Sequence, residues 1–320
     1  MLSIKDLILE NKEEIAELEV TNTGAPIAQA YGRQIPRSAM NFEFFAEFIS
    51  QASSPVFDQN PDYITYVRRE PVGVAGLIAP WNAPMALATM KVAGAIAFGN
   101  SCILKPSELT PLGFVPFMNL LKKAGLPDGV VNMVNGRGNI TGAAMTQEEN
   151  IDVIAFTGGT ETGRSIGSES GKTLKKILTE LGGKSANIIF SDADFERALD
   201  ASIVAIFSNN GQQCLAGSRI LVEKPIAKEF KKRFVKRVQN LRVGDPFDPN
   251  TEIGPLISKE QIEKVMSFSE KAEQSKDTKI LCGGKRVKQI KQGYYFEPTV
   301  VEASDNQNTV CQEEIFGPFA

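Results

Sequence analysis

The chain of 320 residues contains no histidine. That absence removes Ser–His and Cys–His nucleophile pairs, histidine general bases and histidine-ligated zinc. Any acid–base chemistry must run on carboxylates, lysine, tyrosine or cysteine. Cysteine is scarce too: Cys102, Cys214, Cys282 and Cys311 lie far apart and never form a CxxC pair. This fits neither a zinc knuckle nor a small disulfide scaffold, and it points to free thiols in a reducing compartment, the cytoplasm. Long hydrophobic runs are missing as well. The most apolar stretch, Pro84 to Phe98, is interrupted by Lys91 and too short to span a bilayer, and the charged N-terminus is no signal peptide. A net charge of −3 argues against nucleic acid or an anionic membrane as the main partner. No metal site is expected.

What is present is ordinary for a globular protein: 42% hydrophobic and 23% charged residues, at a length that suggests two domains. Strand-like and helix-like segments alternate, the pattern of a parallel α/β sheet. Helical spacing runs over residues 4–20 and again over 38–51, the latter with Ser38 as N-cap and a face of Phe42, Phe45 and Phe48. Tyr63–Arg69 reads as a half-exposed strand, and Val72–Ile78 as a buried one. Pro84 suits the first position of the next helix. Further strands are expected at Cys102–Lys105, Val130–Val134, Ile151–Phe156, Leu174–Leu178, Ala186–Phe190, Arg219–Val222, near Ile280 and at Phe296–Val301. Helices are expected over Pro111–Ala124, Phe195–Ser208, 226–241 and 258–274. The pattern restarts after Gly182-Gly183, which divides the chain into domains 1–181 and 182–320.

Several clusters carry candidate chemistry. Gly136-Arg137-Gly138 follows a strand, but the third glycine, Gly142, comes one residue late for a dinucleotide fingerprint; an ordinary strand–helix turn is the competing account. Gly158–Gly163 imitates a P-loop until Arg164 stands where lysine is needed, although its N–H groups suit a pyrophosphate. Gly283-Gly284 reads as a plain turn. Lys105 and Glu108, at the carboxyl end of a strand, could grip a ribose diol or form a solvated pair. Cys214 sits among small polar neighbours, unlike Cys102 in its apolar strand, and is either a reactive thiol or an inert one. With no histidine, Glu180 beside the Leu181-Gly182-Gly183 turn is the candidate base. The basic run Lys231–Arg237 lies opposite a seam of Phe230, Phe234, Val238 and Leu241, so a solvated helix face explains it better than a nucleic-acid patch.

Taken in order, Pro80-Trp81-Asn82, Lys105–Glu108, Phe156–Gly163, Glu180–Lys184, Gly211–Cys214 and Glu313–Pro318 resemble the aldehyde dehydrogenase superfamily. The likeness runs from about residue 4 to the last residue and is similar to the semialdehyde-oxidising branches; Ser208–Ile220 looks most like the hydroxymuconic-semialdehyde dehydrogenases. The resemblance implies a Rossmann-like NAD-binding domain followed by a second α/β catalytic domain. It implies Cys214 as nucleophile, Glu180 as the base that activates water, and the Asn82 amide with the Cys214 N–H as oxyanion donors. Lys105 and Glu108 would hold the adenosine ribose, favouring NAD over NADP, and Gly159 would lie near the pyrophosphate. Glu314 and Phe316 would position the nicotinamide ribose and ring. Pro80, Trp81, Gly138, Gly142, Phe156, Gly158, Leu181 and Gly182 complete the implied cofactor contacts. The strand near 62–70 matches the family's oligomerisation hairpin, which implies a homodimer or homotetramer acting on a small aldehyde.

Two departures stand out. Gly159 replaces a serine common in the family, which removes a hydroxyl contact. Relative to the family the chain looks truncated at both ends, its catalytic domain incomplete at the C-terminus. A catalytically incompetent nucleotide-binding fragment is therefore an alternative. A CoA-acylating dehydrogenase is another, although those relatives generally lack the glutamate found at position 180.

Overall fold

The computed structural model describes residues 1–320. The chain divides into two compact units, Met1–Leu18 with Arg33–Glu180, and Glu19–Gly32 with Leu181–Ala320. The first unit begins with helices Leu2–Glu10 and Lys12–Thr23, the latter passing into the second unit. Helix Ile35–Gln51 follows a π-helical turn at Ala30–Gln34. The expected cap at Ser38 does not form: the helix starts three residues earlier, and the Ser38 hydroxyl donates to Gln34 O at 3.0 Å inside it. Helical backbone runs on from Ile27 through the π turn, with Ala30 and Gln34 both in right-handed helical conformation, so Ser38 lies inside a helix and not at its start. Of the expected aromatic face, Phe42 enters the core, whereas Phe48 is exposed and meets Phe44 and Phe98.

Strands β1 (Val56–Asn60) and β2 (Tyr63–Tyr66) form an antiparallel hairpin. Its residues are exposed on both faces, apart from partial cover at Asn60, rather than half-buried. The main sheet contains β3 (Val74–Ile78), β4 (Ser101–Lys105), β5 (Val131–Met133), β6 (Val153–Gly158) and β7 (Lys176–Leu181). Their order is β5-β4-β3-β6-β7, with β3 parallel to both β4 and β6, and β4 parallel to β5. That order steps outward to one side, returns to the middle and steps out on the other. The topological switch therefore falls between β3 and β6. Continuous apolar runs make β3 the buried centre of the sheet, covered by helix Pro84–Ala97, whose Met85, Ala88, Val92 and Ala93 are buried. β7 begins two residues later than its sequence suggests, because Leu174 adopts a left-handed φ of 55° and points to solvent.

In the second unit, β8 (Ala186–Ile189) pairs in parallel with β9 (Arg219–Val222). β10 (Thr278–Cys282) pairs antiparallel with β11 (Val300–Ala303). Helix Phe195–Phe207 is capped by Asp194, which accepts from Arg197 N, and helix Lys259–Gln274 by Ser258, which accepts from Gln261 N. Helix Lys224–Gln239 buries Phe230, Phe234 and Val238 against Leu199, Ile206 and Phe207. The basic run lies on its outer side, where Arg233 and Arg237 pair with Glu196, Arg237 also with Asp200, and Lys231 with Glu302. Gly283 and Gly284, just past the end of β10, both take left-handed φ, 73° and 86°. No helix in the chain is long and apolar enough to cross a membrane.

Candidate active site

In an open α/β sheet, ligands bind beyond the carboxyl ends of the strands that flank the switch point. The segment that leaves β3 there is Ala79-Pro80-Trp81-Asn82, tied to the neighbouring strand by a hydrogen bond from Ala79 N to Lys105 O at 3.0 Å. Asn82 is buried, and Pro84 opens the next helix two residues on. β6 ends at Phe156-Thr157-Gly158, and Gly159 is the N-cap residue of helix Thr160–Gly171. Phe156 packs under the turn so closely that a Cβ at Gly158 would sit 2.5 Å from its ring. Gly159, by contrast, has no heavy atom within 4 Å of where its Cβ would be. The turn thus has room on the side-chain face of Gly159, and it leads into the helix start, whose first N–H groups suit a pyrophosphate.

Lys91 joins these two strand ends. It lies in the middle of helix Pro84–Ala97, only 9% exposed, and its ammonium donates to the Thr157 hydroxyl at 2.5 Å. Burial lowers its pKa to about 8, and the Glu180 carboxylate partly offsets that loss. Glu180 itself is exposed near the end of β7. In the sequence Lys91 shows only as an interruption of an apolar stretch, and a lysine within an otherwise buried helix face is the signal it offers.

One strand further out, Lys105 is 2% exposed and donates to Pro106 O at 2.8 Å, with Glu108 at 3.7 Å. Burial lowers the Lys105 pKa, and Glu108 works against that. For Glu108, burial favours the neutral acid, but the Gly138 N–H at 3.2 Å and the Lys105 ammonium help to hold it below the ordinary carboxylate range. Gly142 packs against the Lys105 stem, where a Cβ would lie 3.8 Å away. Lys105, Glu108, Gly138 and Gly142 therefore form one group. The Gly136–Gly138 turn follows β5 at the sheet edge, two strands from the switch, and opens a π-helical turn at Gly138–Gly142.

The second unit holds its own group. Cys214 is half-buried, and none of the four cysteines forms a disulfide. Cys102 is the core thiol its apolar strand suggests, pushed up to about 12 by burial. The Gly182-Gly183 turn cradles Glu314: Gly183 N donates to its carboxylate at 3.3 Å, and a Cβ at Gly182 would lie 2.1 Å from an oxygen. Leu181, half-buried, leads into this turn. Burial raises the Glu314 pKa, opposed by the Gly183 N–H and by Lys264 and Lys184. Burial also lowers Lys184, to about 8. Gln261 donates to Phe316 O at 2.7 Å and Ile315 O at 3.2 Å, and so holds Phe316 in its left-handed φ of 62°. Gln261 and Lys264, three residues apart on one helix face, were not picked out from sequence; their spacing is visible only once the helix has a partner. A cavity of about 640 Å³ between β9 and β11 is lined by none of the predicted site residues. No cluster of three or more acidic or cysteine side chains could hold a metal ion.

Strand order and strand-end side chains define a doubly wound α/β protein of the Rossmann class. The sequence profile of the aldehyde dehydrogenase family matches residues 1–320. A 5-carboxymethyl-2-hydroxymuconate semialdehyde dehydrogenase from Escherichia coli is 44% identical, over 100% of this chain and 69% of that protein. The crystal structure of PnpE from Pseudomonas sp. WBC-3 superposes with a TM-score of 0.96 at 43% identity, over 99% of this chain and 65% of that one. An NAD⁺ complex of aldehyde dehydrogenase from Bacillus cereus gives 0.96 at 38% identity, over 99% and 64%. The chain belongs to the aldehyde dehydrogenase family, and it spans about two thirds of the length of these relatives.

Proposed function

We propose that this sequence carries the reacting residues of an NAD-dependent oxidation of a semialdehyde to its carboxylic acid. The observation that supports it best is the buried Lys91, hydrogen-bonded to Thr157 and within the field of Glu180 at the switch-point end of the sheet, in a chain without histidine. Residues 1–181 are assigned to the cofactor and 182–320 to the nucleophile. The open backbone at Gly159 and the Lys105–Glu108–Gly138 group fit a dinucleotide, and Glu108 would repel a 2′-phosphate, so NAD is favoured over NADP. Asn82, Trp81 and Pro80 at one strand end, and Glu314 and Phe316 beside Gly182, complete the assignment.

In this mechanism the Cys214 thiolate adds to the aldehyde carbon. The oxygen gains a negative charge, held by the Asn82 amide and the Cys214 N–H, donors worth about 3 kcal/mol each. NAD, when bound, supplies the acceptor for the hydride whose loss turns the adduct into a thioester. Glu180 takes a proton from water as the water attacks the thioester, and the C–S bond breaks to return the thiolate. A glutamate at position 180 favours water over CoA as the acyl acceptor. The semialdehyde class is supported by the relative from Escherichia coli. The exposed hairpin β1–β2, with Val56, Tyr63, Ile64 and Tyr66 at the surface, supports assembly of the full-length protein into a homo-oligomer. Four cysteines with no disulfide among them suit the cytoplasm.

The test is NADH formation from a semialdehyde by the full-length protein, with the product analysed with and without CoA. Cys214→Ala is expected to abolish turnover; unchanged turnover refutes the assignment. The span of about two thirds of its relatives favours a second reading for the 320-residue chain alone, binding without catalysis. NAD binding without NADH formation by that chain distinguishes it.

A further inference from the structure

Three consecutive residues before Cys214 adopt left-handed backbone: Asn209 at φ 54°, Asn210 at 58° and Gly211 at 72°. Such a run is costly for side-chain-bearing residues and persists only where its surroundings impose it. Asn210 has no solvent exposure. Its amide makes three hydrogen bonds to two other segments: Nδ2 donates to Gly24 O at 2.9 Å and to Pro255 O at 2.8 Å, and Oδ1 accepts from Gly254 N at 2.7 Å. Those segments have no slack. A Cβ at Gly254 would lie 2.0 Å from Gly24 O, and one at Gly24 would lie 2.7 Å from the Pro255 ring. Around this tie, Gln29 Oε1 accepts from Asn209 N at 2.6 Å, and Gln212 Oε1 accepts from Ile257 N at 3.1 Å.

We propose that Asn210 is a positioning residue for Cys214: its amide, seconded by Gln29, locks the left-handed turn that fixes where the Cys214 backbone and thiol lie. The inference rests on the reading of Cys214 as the nucleophile. The residue type follows from two demands met together. Asparagine tolerates a left-handed φ better than most side chains, and its amide donates twice while accepting once. Aspartate would set a carboxylate against two carbonyl oxygens, and glycine would keep the turn but lose the tie. A thiol that must attack a carbonyl, and a backbone N–H that must meet the resulting oxyanion, both depend on a placement held within a fraction of an ångström.

The experiment uses the 320-residue chain. Iodoacetamide labelling is followed at Cys214, Cys282 and Cys311 by peptide mass mapping, alongside amide hydrogen exchange. In Asn210→Gly, where the backbone stays unstrained, exchange over residues 209–216 is expected to speed up about tenfold. The Cys214 labelling rate is expected to change about threefold or more while Cys282 and Cys311 keep theirs. Gln29→Ala, which removes the acceptor of Asn209 N together with the long 3.4 Å hydrogen bond from Gln29 Nε2 to Glu252 O, is expected to give a smaller change of the same pattern, and it stands in if Asn210→Gly fails to fold. A lower melting temperature with unchanged Cys214 labelling and unchanged local exchange overturns the proposal. Failure of the parent reading is seen separately, as turnover that survives Cys214→Ala in the full-length protein.

Discussion

Replacing Lys91 by methionine tests the charge at the centre of the site. The folded pKa of about 8 lies below the ordinary 10.5, with burial the main cause. At 1.36 kcal/mol per unit, that difference is a penalty of about 3 kcal/mol on the charged form. The unfolded chain keeps the proton up to 10.5, whereas the folded chain releases it near 8. The fold therefore bears the penalty below pH 8 and sheds it as pH rises from 8 to 10.5. Between pH 7 and pH 10, wild type should gain roughly 2–3 kcal/mol of stability relative to Lys91→Met. At pH 7 the variant should be the more stable of the two, by less than the full penalty because Thr157 loses its donor. Urea unfolding followed by tryptophan fluorescence reads this directly: Trp81 is the only tryptophan and lies in the first unit. Lys184, also lowered to about 8, titrates alike in both proteins and cancels in the difference. A stability difference that stays constant from pH 7 to pH 10 would refute the account of Lys91 as a desolvated cation.

Gly211→Ala places a Cβ 2.1 Å from Gly317 O at a φ of 72°, so a loss of about 3 kcal/mol is expected, seen as a lower denaturant midpoint. Phe234→Ala removes a fully buried ring that stacks on Phe230 with centroids 5.9 Å apart, and should cost about 4 kcal/mol by the same measurement. Glu108→Gln keeps the fold but removes the carboxylate shared by Lys105 and Gly138. Calorimetry should show NAD binding about tenfold weaker, a change of about 1.4 kcal/mol, and narrowed discrimination against NADP.

Much of the fold was legible along the chain. The buried strands β3, β4 and β6 announced themselves as apolar runs bounded by glycine or proline, and the helix Lys224–Gln239 by its seam of Phe230, Phe234 and Val238. β1 was not legible: Val-Phe-Asp-Gln-Asn has no two-residue alternation, because neither face of the hairpin is buried. The false cap at Ser38 arose because its hydroxyl could bond to a backbone group at either place, whereas the helical backbone already runs through from Ile27.

By itself, the order of residues determined the chemical inventory: no histidine, one thiol among small polar neighbours, a carboxylate beside a double-glycine turn, and a lysine–glutamate pair at a strand end. These are local facts, carried by side-chain type and short spacing. Tertiary structure alone decided the strand order that puts the switch between β3 and β6, and with it the hydrogen bond of Lys91 to Thr157 across 66 residues of chain, within the field of Glu180. It also decided that Asn210 reaches Gly24 and Pro255, at separations of 186 and 45 residues. The physical reason is the same in both cases. A buried polar group must find its partners wherever the packed chain supplies them, and sequence distance sets no limit on where that is.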